Sequence, residues 1–560
     1  MSRYRPAALA LLFAALLLLM HHHAWRAWFQ HDDFAHLSWT TQVSLPSLLA
    51  GLVSPVFSAE STRESGNLLY AVLGRTAGLN YGWYVAVIQL LHLVNALLVW
   101  RLLRRLDLKA WPSATGALFF AFHMVAFDAC WHPAYLYDVL CALFCLLSLE
   151  SYIAGRILLS FAAYWLAYKS KEVGIMLPAV LVCYEVWLGR RRWKRLVPFL
   201  AVSASFAIQA FLFNRPVNSA YAFRFSAPAV LDAASYYAGE LLFLPFAGFL
   251  LLATPLVTRD RRAWLGAALF WLMIAPMLVL SGRRMSVYLY ESLIGAAVVL
   301  AVASKRARPW MVVLFFLVWM PWNYLRLRPL RAEALDEAAE NRAYVTALES
   351  HARTAPGTRR FQYELTPSRL PAWGIEGALR VVYRIHDPEL RAIRDAADRS
   401  TFWPAPAVFL GWDPLTRRLT ILSRRPEAPP ESYLTMDGAT PLWQLGEGWF
   451  QLEQGYRWMD ARSQATLSRP AGAKWFEVIV IVGPEQSRQR GAAAVRVFLD
   501  GVPAGEARFD REGRHAWSAP IEVRPPGTVS VEFRVPEELT LPRRDGGRLG
   551  AAIAAFGFRR

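Results

Sequence analysis

The sequence is short of cysteine and of charge, and both shortages exclude classes of protein. It has only four cysteines in 560 residues and no CxxC pair, so neither a cysteine-based zinc site nor a thioredoxin-like motif is indicated. The last 370 residues contain no cysteine, which excludes a disulfide-stapled extracellular module there. Charged residues make up 19% and hydrophobic residues 55%, a composition that excludes a disordered chain.

The excess of positive charge lies in one part of the chain. The formal net charge is +18, but residues 1–330 carry 29 Lys and Arg against 14 Asp and Glu, whereas residues 331–560 carry 32 against 29. We therefore expect no nucleic-acid partner, since the excess lies between long apolar runs rather than on a soluble surface. Such an excess is typical of the cytoplasmic loops of a membrane protein.

Apolar runs of membrane-spanning length predict a polytopic α-helical bundle of about 11 transmembrane helices in a lipid bilayer. The first run extends from Ala7 to Met20, and we interpret it as an uncleaved span because no small-residue cleavage pattern follows; the alternative is a signal peptide. The other predicted spans are 83–103, 113–130, 134–152, 156–169, 173–189, 196–213, 237–256, 263–281, 287–304 and 309–325.

Loop charges predict the orientation of this bundle. With a cytoplasmic N-terminus, the inner loops hold 18 basic and 4 acidic residues, whereas the outer side holds 11 basic and 10 acidic residues. This distribution follows the positive-inside rule, and an odd number of spans then places residues 331–560 outside. We therefore predict an integral protein of the bacterial cytoplasmic (inner) membrane, with a cytoplasmic N-terminus and an extracytoplasmic C-terminal domain.

After the last predicted span the sequence becomes typical of a soluble β-rich domain. Residues 331–349 have the pattern of an amphipathic helix, and Asp500-Gly501 predicts a hairpin turn. Short β-type runs are Gly377–Tyr383, Lys474–Val482, Ala494–Leu499, Val529–Val535 and Ala551–Phe558. The predicted divisions are a transmembrane domain over 1–328 with a first outer loop over 21–82, a helix plus α/β linker region over 329–425, and a β-sandwich over 426–560.

Several aromatic residues of the predicted sandwich allow two interpretations. They are Trp443, Trp449, Tyr456, Trp458 and Trp475. We expect them to fill the core of the sandwich; the alternative is a platform that binds carbohydrate.

The first outer loop contains two adjacent carboxylates, Asp32 and Asp33, followed by His36. Adjacent residues at the start of a helix point in different directions, so we expect one carboxylate to face a site and the other to brace it. The pair suits a general base or a metal ligand at the membrane surface. The alternative is a helix N-cap, a common place for Asp.

Other polar residues gather where predicted spans meet on the outer side. Asp128, His132 and Asp138 lie where the third and fourth spans meet, with Asp138 about one turn inside the fourth, and Lys171 and Glu172 lie between the fifth and sixth, where they could pair. Arg283 and Arg284 precede Tyr288 and break the charge rule of the other outer loops. Because ionisable residues near spans are costly, we expect these residues to line a functional site, with the cations suited to phosphate; snorkelling and a bland helix hairpin are the alternatives.

The order and spacing of several motifs resemble the integral-membrane glycosyltransferases of the GT-C fold, which take sugars from polyprenyl-phosphate carriers. Within that fold, the sequence is similar to the branch of protein O-mannosyltransferases and tetratricopeptide-containing O-mannosyltransferases. The resemblance covers about residues 1–325 and is carried by Asp32-Asp33-Phe34 with His36-Leu37, Leu68-Leu69-Tyr70 through Gly78-Leu79-Asn80, Leu91–Val99 with Arg101, Arg104 and Arg105, Ala121-Phe122-His123, Ser170-Lys171-Glu172 with Leu177-Pro178, and Arg283-Arg284 with Tyr288-Leu289-Tyr290.

The resemblance implies an inverting sugar transfer from a polyprenyl-phosphate donor to a glycan, lipid or protein acceptor on the extracytoplasmic face. It implies that Asp32 is the general base and Asp33 its partner, acting directly or through a divalent metal. It also implies that Lys171, Arg283 and Arg284, with Tyr288, hold the donor phosphate, while His36, Asp128, His132, Asp138 and Glu172 line the site.

The sequence also departs from that family. The acidic pair is Asp-Asp rather than Asp-Glu, the usual Arg-Pro is replaced by a stretch around Arg63, and no tetratricopeptide repeats follow. Two other hypotheses stay open. A lipid-linked-sugar transporter or flippase would need charges at mid-bilayer and broken helices, and a non-catalytic scaffold that binds envelope glycan would not need Asp32.

Overall fold

The computed structural model describes residues 5–30, 32–56, 63–213, 222–280, 282–393, 407–423, 429–542 and 548–560. The chain divides into two compact units, Met1–Ala338 and Ala339–Arg560. The first is helical and the second is rich in β-strands, so the predicted fold class, an apolar helical region followed by a β-rich domain, is confirmed.

The first unit is built from helices, the last of which continues into the second unit. They are α1 Arg5–His21, α2 Asp33–Gln42, α3 Leu45–Val53, α4 Glu64–Thr76, α5 Tyr81–Arg105, α6 Ala110–Phe122, α7 Ala126–Trp131, α8 Leu136–Ile153, α9 Ile157–Tyr168, α10 Leu177–Trp187, α11 Val197–Phe213, α12 Ala227–Leu242, α13 Ala247–Leu252, α14 Thr254–Thr258, α15 Arg261–Leu278, α16 Leu293–Arg306 and α17 Pro309–Thr354. Short 3₁₀ turns at Pro133–Tyr135, Glu172–Met176 and Ser286–Leu289 lie between some of them.

Three of the described helical segments are long and apolar enough to cross a membrane: α5, the segment Pro133–Ile153 that contains α8, and α17. A fourth is added if α12 and the segment Ala247–Thr258 are counted as one span bent by 85°. The unit is therefore an integral membrane region, and the count of eleven spans stays a prediction.

Two predicted spans are not continuous helices. The span predicted over 113–130 is interrupted after Phe122, where His123 is extended and α7 begins at Ala126. The span predicted over 237–256 bends because Phe243 and Phe246 adopt left-handed backbone conformations on either side of Pro245, and Pro lacks the amide hydrogen that would continue the helix. Hydropathy alone does not register such breaks.

Small residues let the helices of the bundle approach closely. A Cβ atom added to Gly295 of α16 would lie 2.4 Å from the Gly266 carbonyl oxygen of α15. A Cβ atom at Gly116 of α6 would lie 2.6 Å from the Ala297 carbonyl oxygen of α16. Close backbone contact of this kind is how helices associate in lipid, where burial of apolar surface supplies little driving force.

After the end of α17, the second unit has a mixed sheet and one amphipathic helix. Its strands are β1 Arg360–Glu364, β2 Glu389–Ala392, β3 Val408–Asp413 and β4 Arg418–Leu422, in the order β2-β1-β3-β4, with β1 parallel to β2 and β3. The strand predicted at Gly377–Tyr383 is wrong, because these residues end helix α18, Ala372–Tyr383. Ile375, Leu379 and Tyr383 recur every four residues and are buried, so the apolar period was that of a helix.

Most of the remaining strands form two sheets that share one core. They are β5 Tyr433–Thr435, β6 Trp449–Leu452, β7 Arg457–Met459, β8 Arg462–Arg469, β9 Trp475–Val482, β10 Ala493–Leu499, β11 Val502–Phe509, β12 Gly513–Pro520, β13 Gly527–Arg534, β14 Leu541–Pro542, β15 Arg548–Leu549 and β16 Ala552–Arg559, with helix α19 Pro484–Arg490 after β9. One sheet has the order β11-β10-β13-β8 and the other β12-β9-β16-β7-β6, with β5 also paired to β16, while β14 and β15 pair with each other as a separate two-stranded sheet. Alternate residues of β8 and β9 are buried, the pattern of a sandwich strand.

The predicted hairpin at Asp500-Gly501 is confirmed. It joins β10 to β11 through the pair Leu499–Val502, with φ of 50° at Asp500 and 80° at Gly501, as a two-residue hairpin loop requires. The predicted aromatic core is seen at Trp449, whose ring stacks on Phe556 at 5.6 Å. Trp475 is instead 43% exposed, and binding of carbohydrate by this unit stays a prediction.

A buried ion pair joins the two parts of the second unit. Arg457 of β7 binds both carboxylate oxygens of Glu364 at the end of β1, and the two side chains are 1% and 3% exposed. Removing one partner leaves the other charge buried without compensation. We expect Glu364→Gln to lower the free energy of unfolding of this unit by about 3–5 kcal/mol, measured by pulse proteolysis of the full-length protein in urea.

The matched control for this variant is Glu506→Gln. Glu506 pairs with Arg496, but both side chains are largely exposed, so its loss should cost about 1 kcal/mol or less. Equal effects of the two substitutions would contradict the structural importance of the buried pair.

Candidate active site

The first outer loop holds its two carboxylates in different environments. Asp32 precedes α2 with φ of −86° and ψ of 2°, and its side chain does not accept a hydrogen bond from the first turn of the helix. Asp32 thus occupies the N-cap position, but its side chain does not cap the helix. Its carboxylate is partly exposed, whereas the next residue, Asp33, is fully buried.

Asp33 braces the loop through hydrogen bonds to both of its oxygens. The Gln30 amide donates to Oδ2 at 2.7 Å, and the Tyr70 hydroxyl of α4 donates to Oδ1 at 3.1 Å. Burial raises the pKa of Asp33 to about 7 although both hydrogen bonds favour the ionised form. Asp33 thus ties the start of α2 to α4, as expected for the bracing member of the pair.

Tyr137 of α8 connects the loop to the helical bundle. Its hydroxyl lies 3.0 Å from His36 Nδ1 and donates to Asn67 Oδ1 at 2.9 Å. Its ring packs directly on Gly66 of α4, where an added Cβ atom would lie 2.3 Å from a ring carbon. His36 of α2 therefore packs against both α4 and α8.

An ion pair joins α4 to the turn after α9, but not the pair expected from the sequence. Arg63 donates through Nε and a terminal nitrogen to the two oxygens of Glu172, at 3.1 and 3.3 Å. The predicted pairing of Lys171 with Glu172 is therefore wrong, since adjacent residues of this turn point in different directions. Burial alone would raise the pKa of Glu172, but the Arg63 guanidinium holds it below its usual value.

Lys171 pairs instead with Asp138 in the first turn of α8. The two side chains are 9% and 3% exposed, and the Lys171 ammonium also lies 5.1 Å from the centre of the Tyr288 ring. The buried carboxyl of Glu291 is within electrostatic range of both members of the pair. Two sequence-predicted donor-site residues, Lys171 and Tyr288, are thus brought together.

Asp128 and His132 form a second polar pair at the end of α7. His132 Nε2 lies 3.8 Å from Asp128 Oδ1. Tyr135, in the turn before α8, lies within electrostatic range of Asp32, Asp128 and Asp138. The residues predicted to line the site therefore surround the N-terminal end of α8.

The two predicted arginines differ in environment. Arg284 is exposed, pairs with Asp232 of α12 at 2.8 Å and lies over the Tyr236 ring at 5.8 Å. Arg283 is partly buried in the same turn. Their contact with a donor phosphate stays a prediction.

Sequence reasoning missed four residues that shape this cluster: Arg63, Asn67, Tyr70 and Tyr137. Each lies in or beside a motif already singled out, but none is unusual by residue type or spacing. Their importance comes from contacts between α2, α4 and α8, which no local pattern reveals.

The donor set does not fit the metal-bound form of the acidic pair. The described residues contain no group of three His, Cys, Asp or Glu side chains arranged to hold a metal ion. Both oxygens of Asp33 already accept hydrogen bonds. We therefore derive no step through a metal.

No family model and no curated protein sequence matches the chain. Among solved structures, it is similar to the crystal structure of ArnT from Cupriavidus metallidurans bound to undecaprenyl phosphate, with 14% identity and a TM-score of 0.45 over 74% of this chain and 94% of that chain. The crystal structure of ArnT from Cupriavidus metallidurans in the apo state is similar at 14% identity and a TM-score of 0.47, over 72% of this chain and 93% of that chain. The cryo-EM structure of arabinofuranosyltransferase AftD from Mycobacteria gives 13% and 0.44 over 99% of this chain and 58% of that chain. At this level of likeness, the function proposed below rests on the residues of this chain.

The Lys171–Asp138 pair can be tested by a double-mutant cycle. Lys171→Met leaves a buried carboxylate and Asp138→Leu leaves a buried ammonium, so we expect each to lower the free energy of unfolding by about 3–5 kcal/mol. The double variant should recover most of this loss, because no uncompensated charge remains. Unfolding in detergent with urea measures the effect.

The exposed pair of Arg284 and Asp232 provides the control cycle, with an expected coupling of about 1 kcal/mol or less. Strictly additive losses in the Lys171–Asp138 cycle would show that these two charges do not stabilise each other.

Proposed function

We propose that the chain is a membrane glycosyltransferase that moves a sugar from a polyprenyl-phosphate carrier to a glycan, lipid or protein acceptor. The observation that carries the proposal is that two consecutive residues of α8 contact two different polar groups, one beside the carboxylates of the first loop and one around a buried cation. Tyr137 contacts His36 beside the first-loop carboxylates, and Asp138 contacts the buried cation Lys171. A base and a phosphate-binding cation are the two parts that such a transfer needs.

The donor phosphate is assigned to the side of Lys171. An ammonium has three N–H donors, and Asp138 takes one of them, so others can bind phosphate oxygens. Tyr288 lies under the ammonium. Arg283 and Arg284 supply further positive charge in the turn before Tyr288, with the fork geometry that suits phosphate.

The acceptor is assigned to the side of Asp32. Its partly exposed carboxylate takes the proton of the acceptor hydroxyl while that oxygen forms a bond to the anomeric carbon. The bond from this carbon to the phosphate oxygen breaks, and its electron pair leaves with the polyprenyl phosphate. A single displacement of this kind inverts the anomeric configuration, and His36, Asp128, His132, Asp138 and Glu172 line the path.

The charge distribution of the loops supports a site on the extracytoplasmic face. In this arrangement the N-terminus is cytoplasmic, residues 331–560 are extracytoplasmic, and the protein resides in the inner membrane of a bacterium. The branch of protein O-mannosyltransferases remains the relative that the motifs of the sequence suggest.

One observation favours a second candidate, a transporter of lipid-linked sugar. The 85° bend between α12 and α13 is a broken helix of the kind that transporters use. A transporter would move the lipid-linked sugar unchanged and would not require a base at Asp32. A glycan-binding scaffold would not require a base at Asp32 either.

Substitution of Asp32 separates these hypotheses. We expect Asp32→Asn to slow sugar transfer by about 10²- to 10⁴-fold, the usual contribution of a general base, while binding of the polyprenyl-phosphate sugar is retained. The assay follows transfer by the purified protein in detergent from a panel of such donors.

Asp107→Asn is the matched control, since Asp107 is an exposed carboxylate at the end of α5 with a left-handed backbone that Asn also tolerates. It should transfer sugar at the wild-type rate. Full transfer by Asp32→Asn would reject Asp32 as the base, and movement of lipid-linked sugar without any transfer by the wild type would reject the enzyme hypothesis.

A further inference from the structure

His36 is the last member of a chain of hydrogen-bonded side chains that crosses three helices. Asn67 Nδ2 donates to Glu64 Oε2 at 3.2 Å, and the Tyr137 hydroxyl donates to Asn67 Oδ1 at 2.9 Å. The Tyr137 oxygen then lies 3.0 Å from His36 Nδ1. The first three side chains are buried, whereas His36 is partly exposed.

The direction of each hydrogen bond follows from the donors that each group possesses. An ionised Glu64 can only accept, so the amide NH₂ of Asn67 faces Glu64 and its carbonyl faces Tyr137. A tyrosine has one hydroxyl hydrogen, and Tyr137 gives it to that carbonyl. Tyr137 can therefore only accept from His36, which requires the hydrogen on Nδ1.

Two neighbouring groups favour the ionised form of Glu64. Burial raises the pKa of Glu64, whereas the hydrogen bond from Asn67 and, more weakly, the Lys169 ammonium act in the opposite direction. Among the described residues, Lys169 Nζ has no hydrogen-bond partner, and it is held near the rings of Trp165 and Tyr168. Its charge thus favours the carboxylate form of Glu64, which sets the direction of the chain.

A neutral His36 ring carries a single hydrogen, and a Tyr137 hydroxyl that can only accept places this hydrogen on Nδ1. Burial and the nearby Arg63 charge lower the pKa of His36 to about 4, although Asp32 opposes this. The other groups that face the ring are Tyr70 of α4 and Tyr137 of α8. Nε2, on the side of the ring away from Tyr137, is therefore a hydrogen-bond acceptor.

Asp32 and His36 are four residues apart at the start of α2, a spacing that places two side chains on one face of a helix. The site thus offers two neighbouring acceptors, a carboxylate and an imidazole nitrogen. A serine or threonine side chain has one hydroxyl and cannot use both. A sugar ring with neighbouring hydroxyls can.

We propose that Glu64, Asn67 and Tyr137 fix His36 in the neutral Nδ1–H form, so that Nε2 accepts from the acceptor hydroxyl next to the one that reacts. The acceptor is then a carbohydrate. Only the identity of this ligand rests on the proposed function. His36 determines specificity, and the other three are positioning residues.

The tautomer can be measured without any substrate. ¹⁵N NMR of the full-length protein labelled at its 11 histidines, with His36→Gln to assign the signal, reports which ring nitrogen carries hydrogen. We expect Nδ1–H in the wild type and its loss in Tyr137→Phe, which removes the acceptor. Asn67→Leu frees the Tyr137 hydroxyl to donate, so it should also move the hydrogen to Nε2.

Tyr84→Phe is the matched control, because Tyr84 is a neighbouring buried tyrosine whose hydroxyl donates to the Gly78 carbonyl. It should leave the His36 signal unchanged. A wild-type His36 that carries hydrogen on Nε2, or on both nitrogens at neutral pH, would overturn the proposal. So would an Nδ1–H signal that neither Tyr137→Phe nor Asn67→Leu alters.

The ligand is tested with disaccharide acceptors, their monodeoxy analogues and a serine-containing peptide. We expect transfer to disaccharides but not to the peptide, and about a tenfold loss of kcat/KM in Tyr137→Phe, the effect of one hydrogen bond. Removing the neighbouring hydroxyl from the sugar should lower kcat/KM of the wild type by the same factor. In Tyr137→Phe, which has already lost this contact, the same change to the sugar should lower kcat/KM hardly any further. Transfer to the peptide at a rate that Tyr137→Phe does not change would refute the assignment of a carbohydrate acceptor.

These outcomes separate the proposal from the function on which its ligand rests. An Nδ1–H tautomer without transfer from any donor would reject the glycosyltransferase and the carbohydrate ligand but keep the hydrogen-bonded chain. Transfer with the opposite tautomer would reject the chain alone.

Discussion

The buried ion pair of Lys171 and Asp138 is the constraint on which the candidate site depends. A charge in an apolar helical bundle is tolerated only when it is paired or hydrogen-bonded, so this pair fixes the turn after α9 against the start of α8. Because Tyr137 precedes Asp138, the same contact orients Tyr137 toward α2 and α4. The turn after α9 also carries Glu172, whose ion pair with Arg63 holds α4 from the other side.

Side chains of the same charge have different roles here because some are buried and others are exposed. Asp33 is buried and braces the loop, whereas Asp32 is partly exposed and can meet an acceptor. Lys171 is paired within the bundle, while Arg284 remains near the surface with Asp232. In the second unit the buried pair of Arg457 and Glu364 serves structure alone, since it joins β7 to β1 within a well-packed core. Environment rather than residue type therefore separates the proposed catalytic groups from the structural ones.

The sequence predicted the fold class, the hairpin at Asp500-Gly501 and strands such as Lys474–Val482, because these depend on composition and local period. It did not predict the breaks at His123 and Phe243, which local backbone conformation decides, or the helix at Gly377–Tyr383, where a four-residue period was read as a strand. Candidate residues were found where charge is costly, as at Lys171 and Asp138. Their partners were not, because the choice of Asp138 over Glu172 for Lys171 depends on how α8 and α9 pack.

The proposed sugar transfer requires donor and acceptor groups to meet at the N-terminal end of α8. The most direct measurement is photo-crosslinking of the purified protein with a polyprenyl-phosphate sugar that carries a diazirine on the sugar, followed by peptide mapping. We expect labelled peptides that contain residues 30–37 and residues around Lys171 and Tyr288, with labelling prevented by unmodified donor. Labelling confined to apolar helix surfaces such as α6 and α17, and insensitive to that competitor, would contradict it.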